Sequence, residues 1–282
     1  MYQQKIGMSL EKQYSISKVE VVKMLKRIGF EAISLAWEED MQFAQVIEQA
    51  KECGLIVQSL HAPQWKVADM WSFDANCYEP VKQELLRTLE DCKKFGIPVM
   101  VVHAWFGFDY EFDMSNLNFK NFDELVVRAE EYGVKIAFEN AEGPEYLSAL
   151  LDRYENNDTV GFCWDLGHEI CYNAPDFLAK YGDRLIMTHL NDNLGVRSYD
   201  GTLSGDDDLH LLPYDGVADW DYNIERLQKS KPVEILNFEL KIKSKKNRHE
   251  NDLYSQMGLE LYFTEAYKRA CRIAYRYSRT KV

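Results

Sequence analysis

The chain has 282 residues, 46% of them hydrophobic, which suits one large α/β domain or two ordinary ones with a sizeable core. The formal net charge of −13 disfavours a nucleic-acid partner, because phosphate binding needs a positive surface. No apolar run approaches the ~20 residues of a membrane helix, and the start lacks the basic and apolar segments of a secretory signal. Six scattered cysteines without C-x-x-C spacing indicate reduced thiols, so we expect a cytoplasmic protein with no membrane partner.

Positive charge is concentrated near the C-terminus, where residues 241–282 hold 11 Lys and Arg against 4 Asp and Glu. The run KIKSKKNRH at 241–249 could bind an anion. Such a run is more often a solvated loop, and we interpret it as one.

A helix, a glycine and an apolar strand recur in this order along the chain. In VVKMLKRIGFEAISLA the apolar residues before Gly29 are spaced three and four apart, which predicts an amphipathic helix that ends at a left-handed glycine cap. Each strand is a near-continuous apolar run, typical of a parallel strand covered on both faces. The corresponding glycines of the later units are Gly54, Gly96, Gly133 and Gly182.

Eight strands are predicted, and a helix can follow each of them, the last at about 253–279. Eight alternating units predict a (β/α)8 TIM barrel, an α/β fold, as a single domain over residues 1–282. A doubly wound open sheet is the alternative, but it usually carries a Gly-rich phosphate loop after its first strand, and none is present. The predicted strands lie at 5–10, 30–36, 55–61, 97–103, 134–139, 160–165, 184–190 and 233–240.

The last six predicted strands all end in a histidine or a carboxylate. In a barrel these ends converge on the C-terminal mouth, where active sites lie. Any one of them alone is more often a rim residue or a helix cap. Three carboxylates in one mouth would repel each other, however, and a divalent cation removes that repulsion. His with Asp and Glu ligands suits Mn²⁺, Mg²⁺, Co²⁺ or Zn²⁺, so we predict a metal site. The six residues are His61, His103, Glu139, Asp165, His189 and Glu239.

The long polar loop 191–218 adds two candidates. Asp208 and His210 are two residues apart, and in an extended segment both side chains would lie on one side. The neighbouring Asp206 and Asp207 are expected to be exposed. Long loops of this kind are often functional.

Aromatic residues follow the ends of the third and fourth strands. Trp65 and Trp105, with Phe106, could form a wall against the apolar face of a sugar. The alternative is that these rings only pack the loops.

The strand-end fragments together resemble the xylose isomerase-like TIM barrels, which include sugar isomerases, ketose 3-epimerases, inosose dehydratases and endonuclease IV. They cover essentially the whole chain and indicate the superfamily rather than one reaction. The resemblance implies a metal core of Glu139, Asp165, His189 and Glu239. The fragments are SLHAP, VVHAW, IAFEN, CWDLGHE, THLND, DLHLLPYDG and NFELK.

The resemblance also implies roles for individual residues. Glu139 and Glu239 would double as metal ligands and as the catalytic acid and base, one on each face of the substrate carbon. His168, three residues after Asp165, matches a substrate-binding histidine of the epimerases.

Two further substrate contacts are weaker matches. Glu145 lies six residues after Glu139, as a substrate-contacting glutamate does in the epimerases, although Gly143-Pro144 intervenes here. Arg197 could hold a terminal oxygen or phosphate.

The function expected first is that of a metal-dependent isomerase or epimerase of a sugar, sugar phosphate or polyol, in carbohydrate metabolism. It would act by proton transfer through an enediolate that the metal stabilises. The alternatives are an inosose or dehydroshikimate-type dehydratase, an endonuclease IV-like trinuclear zinc phosphodiesterase, and a binding protein that has lost catalysis. Similar proteins are often dimers or tetramers, so a homo-oligomer is compatible with this resemblance.

The nuclease alternative would need a larger ligand set, and all nine residue types are present. The acidic body and the sugar-isomerase form of DLGHE favour sugar chemistry. In that reading the additional residues would bind a further metal or the substrate. The nine are His61, His103, Glu139, Asp165, His168, His189, Asp208, His210 and Glu239.

Overall fold

Eight parallel strands form the centre of the structure, a computed structural model that describes residues 4–11, 14–39, 43–108, 115–196 and 202–279. The sheet order is β7-β6-β5-β4-β3-β2-β1-β8, and each of these neighbours pairs in parallel. The strands are β1 (Lys5–Ser9), β2 (Ala32–Ala36), β3 (Ile56–His61), β4 (Val99–His103), β5 (Lys135–Glu139), β6 (Val160–Asp165), β7 (Leu185–His189) and β8 (Ile235–Phe238).

The ring of strands is nearly closed between β7 and β8. An isolated parallel bridge joins Leu190 to Phe238, and the Leu190 N–H donates to the Asn237 carbonyl at 2.9 Å. The predicted (β/α)8 TIM barrel is therefore confirmed, and the assignment of residues 1–282 to one domain stays a prediction.

Helices follow the strands as predicted, except that two helices instead of one follow β6 and β8. The predicted last helix is two helices, because Met257 is extended and Gly258 separates them. Among the described residues no helix is both long and apolar enough to cross a membrane. The helices are α1 (Lys18–Ile28), α2 (Phe43–Glu52), α3 (Ala75–Phe95), α4 (Lys120–Tyr132), α5 (Pro144–Arg153), α6 (Leu166–Cys171), α7 (Phe177–Tyr181), α8 (Trp220–Lys229), α9 (Asp252–Gln256) and α10 (Leu259–Arg279).

The glycines that end the helices do not all have the predicted conformation. Gly96 and Gly133 take the left-handed conformation, with φ of 70° and 66°. Gly182 has φ −61° and ψ −27°, so the predicted left-handed cap is wrong there. A Cβ at Gly182 would lie 2.6 Å from the Ser230 hydroxyl. A close approach between α7 and the end of α8 therefore accounts for this glycine.

The side chains inside the barrel are apolar on one side of the ring and polar on the other. The side chains from β4 to β7 form a buried apolar cluster, whereas β1, β2, β3 and β8 contribute a hydrogen-bonded polar group. In that group the Ser59 hydroxyl donates to Ser34 at 2.9 Å, and the Asn237 amide donates to Ser9 at 2.8 Å. Both halves are filled by side chains, so the open site lies above them, at the C-terminal ends of the strands.

Candidate metal centre

Four side chains at the mouth of the barrel converge on one point. Each offers one ligand atom, and these atoms lie within 4.8 Å of one another. Three of the residues end β5, β6 and β7, and the fourth follows β8 directly. The members, which we call the strand cluster, are Glu139, Asp165, His189 and Glu239.

The parallel ladder sets the spacing of the strand cluster. Asp165 pairs with His189 in register, and His103 pairs with Glu139. The His189 Nδ1 lies 2.7 Å from the Glu139 Oε1 and 2.9 Å from the Glu239 Oε2. One imidazole nitrogen therefore faces two carboxylates that come from opposite sides of β6 and β7.

Glu139 also faces a pair of histidines. Its Oε2 lies 3.1 Å from the His61 Nε2 and 3.3 Å from the His103 Nε2. Its side chain is fully buried. Glu139 therefore belongs both to the strand cluster and to a group with His61 and His103.

The electrostatics of the strand cluster are those of a crowded acidic site balanced by imidazoles. Burial acts to raise the pKa of Glu139, but His189 and His103 outweigh it and hold that pKa well below its usual value. Burial raises the pKa of Asp165, since the nearby His168 compensates only in part. Burial acts against a charged His189, yet the thiol and carboxylates around it, with Cys163 first, raise its pKa well above the ordinary value. Positive charge is thus favoured at the centre, which is the condition that a divalent cation meets.

A second group lies on the first turn of α6 and on the loop between β7 and α8, and we call it the loop cluster: His168, Asp208 and His210. The Asp208 Oδ2 lies 2.9 Å from the His210 Nε2, and its Oδ1 lies 3.6 Å from the His168 Nε2. The two imidazoles hold the pKa of Asp208 well below its usual value, against the effect of burial.

The backbone at His210 is not extended as predicted, but the side chains of Asp208 and His210 do meet on one side, as predicted. His210 has φ 49°, in the left-handed region. Its carbonyl accepts from the Lys241 N–H at 3.0 Å, and the next residue pairs with Asp192. The backbone bends at His210, and the two side chains meet through that bend.

In the sequence WDLGHE, Asp165 caps a helix and Gly167 leaves room for a neighbouring side chain. The Asp165 Oδ1 accepts from the His168 N–H at 2.7 Å and so caps α6. The Asn191 amide donates to both Asp165 oxygens, at 3.1 and 3.0 Å. A Cβ at Gly167 would lie 1.7 Å from the Asn191 Oδ1, so this glycine is what lets Asn191 approach.

His168 is oriented from the other side by Asn140. The His168 Nδ1 donates to the Asn140 carbonyl at 2.8 Å, which leaves its Nε2 towards Asp208. The Asn140 side chain also brackets the Asp165 backbone, accepting from its N–H at 2.8 Å and donating to its carbonyl at 2.7 Å. Sequence reasoning missed Asn140 and Asn191, and the signal for both is that they follow ligands almost directly, in FEN and HLN.

The loop cluster contacts the basic segment 241–249. This contradicts two expectations, namely that the segment is a solvated loop and that Asp207 is exposed. Arg248 is buried and lies 3.0 Å from the Asp207 Oδ1, so Asp207 is buried rather than exposed; Asp206 is exposed as expected. The Lys245 ammonium lies 3.3 Å from the Asp208 Oδ2. The segment 241–249 is therefore folded against the loop instead of being wholly solvated, because its cations balance buried acids.

The remaining predicted substrate contacts fall in different places. Trp65 is 69% exposed, with its ring centroid 6.5 Å from that of Phe106. Trp105 is buried and lines a cavity beside α5, and Glu145 is exposed at the rim of the same cavity. Arg197 lies outside the described residues.

Comparisons with known proteins agree with this architecture. Residues 22–258 match the family model described as xylose isomerase-like TIM barrel. An uncharacterized protein of Sinorhizobium fredii is 34% identical over 170 residues, covering 55% of this chain and 51% of that protein. The chain spans about half the length of the curated relatives it matches.

Solved structures resemble it over nearly its whole length. A structure of the IolI protein with a bound zinc atom superposes with TM-score 0.78 at 18% identity, covering 98% of this chain and 100% of that one. D-psicose 3-epimerase from Clostridium cellulolyticum, solved with D-tagatose, gives 0.71 at 13% identity, covering 96% and 99%. The 3-keto-D-glucoside 4-epimerase of E. coli gives 0.66 at 15% identity, covering 95% and 99%. At these identities the likeness shows the fold alone.

Proposed function

Since the chain belongs to the xylose isomerase-like TIM barrel family, we propose that it is a divalent-metal-dependent isomerase or epimerase that acts on a sugar or polyol. The observation that carries the proposal is the strand cluster, in which two glutamates from opposite sides of the mouth face one imidazole nitrogen. The zinc in the related IolI structure and the sugar named with the psicose 3-epimerase support it.

The donor set of the strand cluster fits a divalent cation. Three carboxylates and one imidazole nitrogen surround one point, and they are mostly buried. Such oxygen-rich sets with one nitrogen suit Mn²⁺, Mg²⁺, Co²⁺ or Zn²⁺. The fourth ligand, Glu239, has a side chain that is 20% exposed, so the site is reached from that side. A bound cation would supply Lewis-acid polarisation of the substrate carbonyl and its neighbouring hydroxyl.

The two glutamates are unequal, and this assigns their roles. Both oxygens of Glu139 face histidines, and its side chain is fully buried. Glu239 faces His189 through one oxygen and is the more exposed of the two. We therefore assign abstraction of the proton next to the substrate carbonyl to the Glu239 carboxylate. Glu139 would exchange a proton with the opposite face of the same carbon, and each carboxylate must lie within reach of the proton that it transfers. His168 would form a hydrogen bond with a substrate hydroxyl through its Nε2, since its Nδ1 donates to the Asn140 carbonyl.

The test is exchange of the proton next to the substrate carbonyl, together with a count of the metal ions bound per chain. The protein is loaded with Mn²⁺ and incubated in deuterated water with D-fructose, D-tagatose, D-psicose and pentuloses, and the C–H next to the carbonyl is followed by NMR. Exchange without loss of water supports the proposal. A new enone or dione would assign a dehydratase instead, and absence of exchange across the panel would count against the reaction.

A second candidate function is that of a trinuclear zinc phosphodiesterase, favoured by one observation. The strand cluster, the loop cluster and the pair His61 and His103 are contiguous, since the His168 Nδ1 lies 3.6 Å from the Glu139 Oε1. Three zinc ions per chain and cleavage of an abasic duplex would establish it. One ion per chain with no cleavage would leave sugar chemistry.

A further inference from the structure

The mouth of the barrel is more open on one side than on the other. The residues that end β4 to β7 and face the mouth are buried, whereas the mouth-facing residues at the ends of the other four strands are partly exposed. A ligand that reaches the strand cluster from solvent therefore lies over the ends of β1, β2, β3 and β8. The partly exposed residues are Ser9, Ala36, His61 and Glu239.

Ser9 faces this open side of the mouth, next to Glu239. Strands β1 and β8 pair in parallel with Gly7 opposite Asn237, so Ser9 lies opposite Glu239 two residues further on. Side chains alternate between the two faces of a strand. The Asn237 side chain lies inside the barrel, where its amide donates to the Ser9 hydroxyl at 2.8 Å. Ser9 and Glu239 are therefore neighbours on the inner face of the barrel.

A chain of hydrogen bonds with a single direction ends at Ser9. The Ser59 hydroxyl donates to the Ser34 Oγ at 2.9 Å, and the Ser34 hydroxyl donates to the Asn237 Oδ1 at 3.3 Å. The Asn237 Nδ2 then donates to the Ser9 Oγ. A hydroxyl group carries one hydrogen. Ser59 and Ser34 direct theirs along the chain inside the barrel, so the hydrogen of Ser9 is the last one.

The hydrogen of the Ser9 hydroxyl is directed towards the mouth. Its oxygen already accepts from Asn237, and among the described residues none accepts a hydrogen bond from the Ser9 hydroxyl. The Asn237 amide group occupies the space beneath Ser9. Gly7 leaves room for it, because a Cβ at Gly7 would lie 2.8 Å from the Asn237 Oδ1. Ser9 is thus a hydrogen-bond donor at the open side of the strand cluster.

We propose that Ser9 is a substrate-binding residue, whose hydroxyl donates to a hydroxyl group of the sugar close to the carbon at which Glu239 acts. The inference rests on the proposed function and adds a specificity contact to it. An uncharged donor suits a neutral hydroxyl group. A substrate that lacks this oxygen leaves the Ser9 hydroxyl without an acceptor, which is how a site built to hydrogen-bond a hydroxyl group rejects a deoxy analogue.

The test is a cycle between Ser9 and single hydroxyl groups of the sugar. The Mn²⁺-loaded wild type and Ser9→Ala are titrated by calorimetry with D-tagatose, D-fructose and their 1-, 4-, 5- and 6-deoxy derivatives. We expect the wild type to bind one deoxy derivative about tenfold more weakly than its parent sugar, the equivalent of one hydrogen bond. Ser9→Ala should bind the parent sugar about tenfold more weakly than the wild type does, and should bind that derivative as tightly as the parent.

Two further variants guard against an indirect effect of the substitution. Ser9→Cys has nearly the shape of serine but only a weak S–H donor, so it should lose the discrimination as Ser9→Ala does, without leaving a cavity. Ser15→Ala, at an exposed serine between β1 and α1, is the matched control and should bind every sugar as the wild type does. Metal content should be unchanged in all three variants.

The outcomes separate the contact from the reaction. Discrimination that depends on Ser9, without exchange of the proton next to the carbonyl, would support the contact and overturn the reaction. Proton exchange in the wild type, with each sugar bound equally by the wild type and Ser9→Ala, would overturn the contact and support the reaction. If no sugar of the panel binds the metal-loaded protein, both are overturned.

Discussion

The strand cluster and the loop cluster are built from the same residue types, but the fold holds them in different ways. Asp165 and His189 are neighbours in a parallel ladder, so their separation follows from strand pairing. Asp208 and His210 lie on a loop whose shape depends on the ion pair between Arg248 and Asp207. The strand cluster is therefore set by strand pairing in the barrel, whereas Asp208 and His210 are set by contacts between a loop and the basic segment 241–249.

The largest effect is expected from Glu239→Gln. The amide keeps the shape of the side chain but cannot take a proton, so exchange should fall by about 10²–10⁴-fold, measured by NMR in deuterated water at saturating Mn²⁺. Excess metal separates this loss from weaker metal binding. Glu234→Gln, an exposed position just before β8, is the control. Near-native exchange in Glu239→Gln would show that the assignment of the base is wrong.

Arg248→Met is expected to have a smaller effect, which is on the stability of the fold. The change removes the Arg248 guanidinium from the buried Asp207 carboxylate, which should lower the free energy of unfolding by about 3 kcal/mol in urea titrations. The loop cluster should be disturbed, while Mn²⁺ binding at the strand cluster persists. Lys246→Met, at an exposed position of the same segment, should change little.

The second variant Asp207→Asn sharpens this result. Combined with Arg248→Met it also removes the buried negative charge, so the double variant should regain part of the lost stability. A double variant as unstable as Arg248→Met alone would mean that the ion pair is not the cause.

Asp192→Asn tests the other anchor of the loop cluster. The buried Asp192 carboxylate accepts from the Tyr214 N–H and the Trp220 indole N–H at 2.9 Å each, and from the Ala218 N–H at 3.0 Å. An amide group would turn two hydrogens towards these donors, so we expect a loss of about 2 kcal/mol in unfolding free energy. Asp206→Asn, exposed in the same loop, serves as the comparison. Equal stabilities of the two variants would contradict the role given to Asp192.

The difference between strand ends and loops explains which parts of the site could be predicted from the sequence. A strand end carries its side chain to the mouth of the barrel whatever the loops do, so Glu139, Asp165 and His189 could be placed from periodicity and glycine spacing. Five of the six histidines lie in the two clusters or beside Glu139, and only the sixth, His249, is exposed. The strand ends are thus the part of the site that local pattern determines.

The misplaced features depend on contacts between residues far apart in the chain. Asp207 looked exposed because its partner Arg248 lies about forty residues away in a run that resembles a solvated loop. Glu142 is buried without any local signal for it, while Glu145, which has the expected spacing, is exposed on the first turn of α5. No periodicity encodes such pairings.

The smallest expected effect would refine the comparison between the two clusters. The Lys245 ammonium lies beside Asp208 and is 28% exposed, so it competes with any cation at the loop cluster. Lys245→Met should therefore raise the affinity for a second equivalent of Co²⁺ by up to about fivefold, as removal of a partly exposed ion pair allows. It should leave the affinity for the first equivalent unchanged.

Visible absorption during Co²⁺ titration measures both binding steps, and Lys243→Met, at an exposed lysine of the same segment, is the control. A change in the first step instead would mean that the two clusters are one electrostatic unit, because Glu139 and His168 couple them across 3.6 Å.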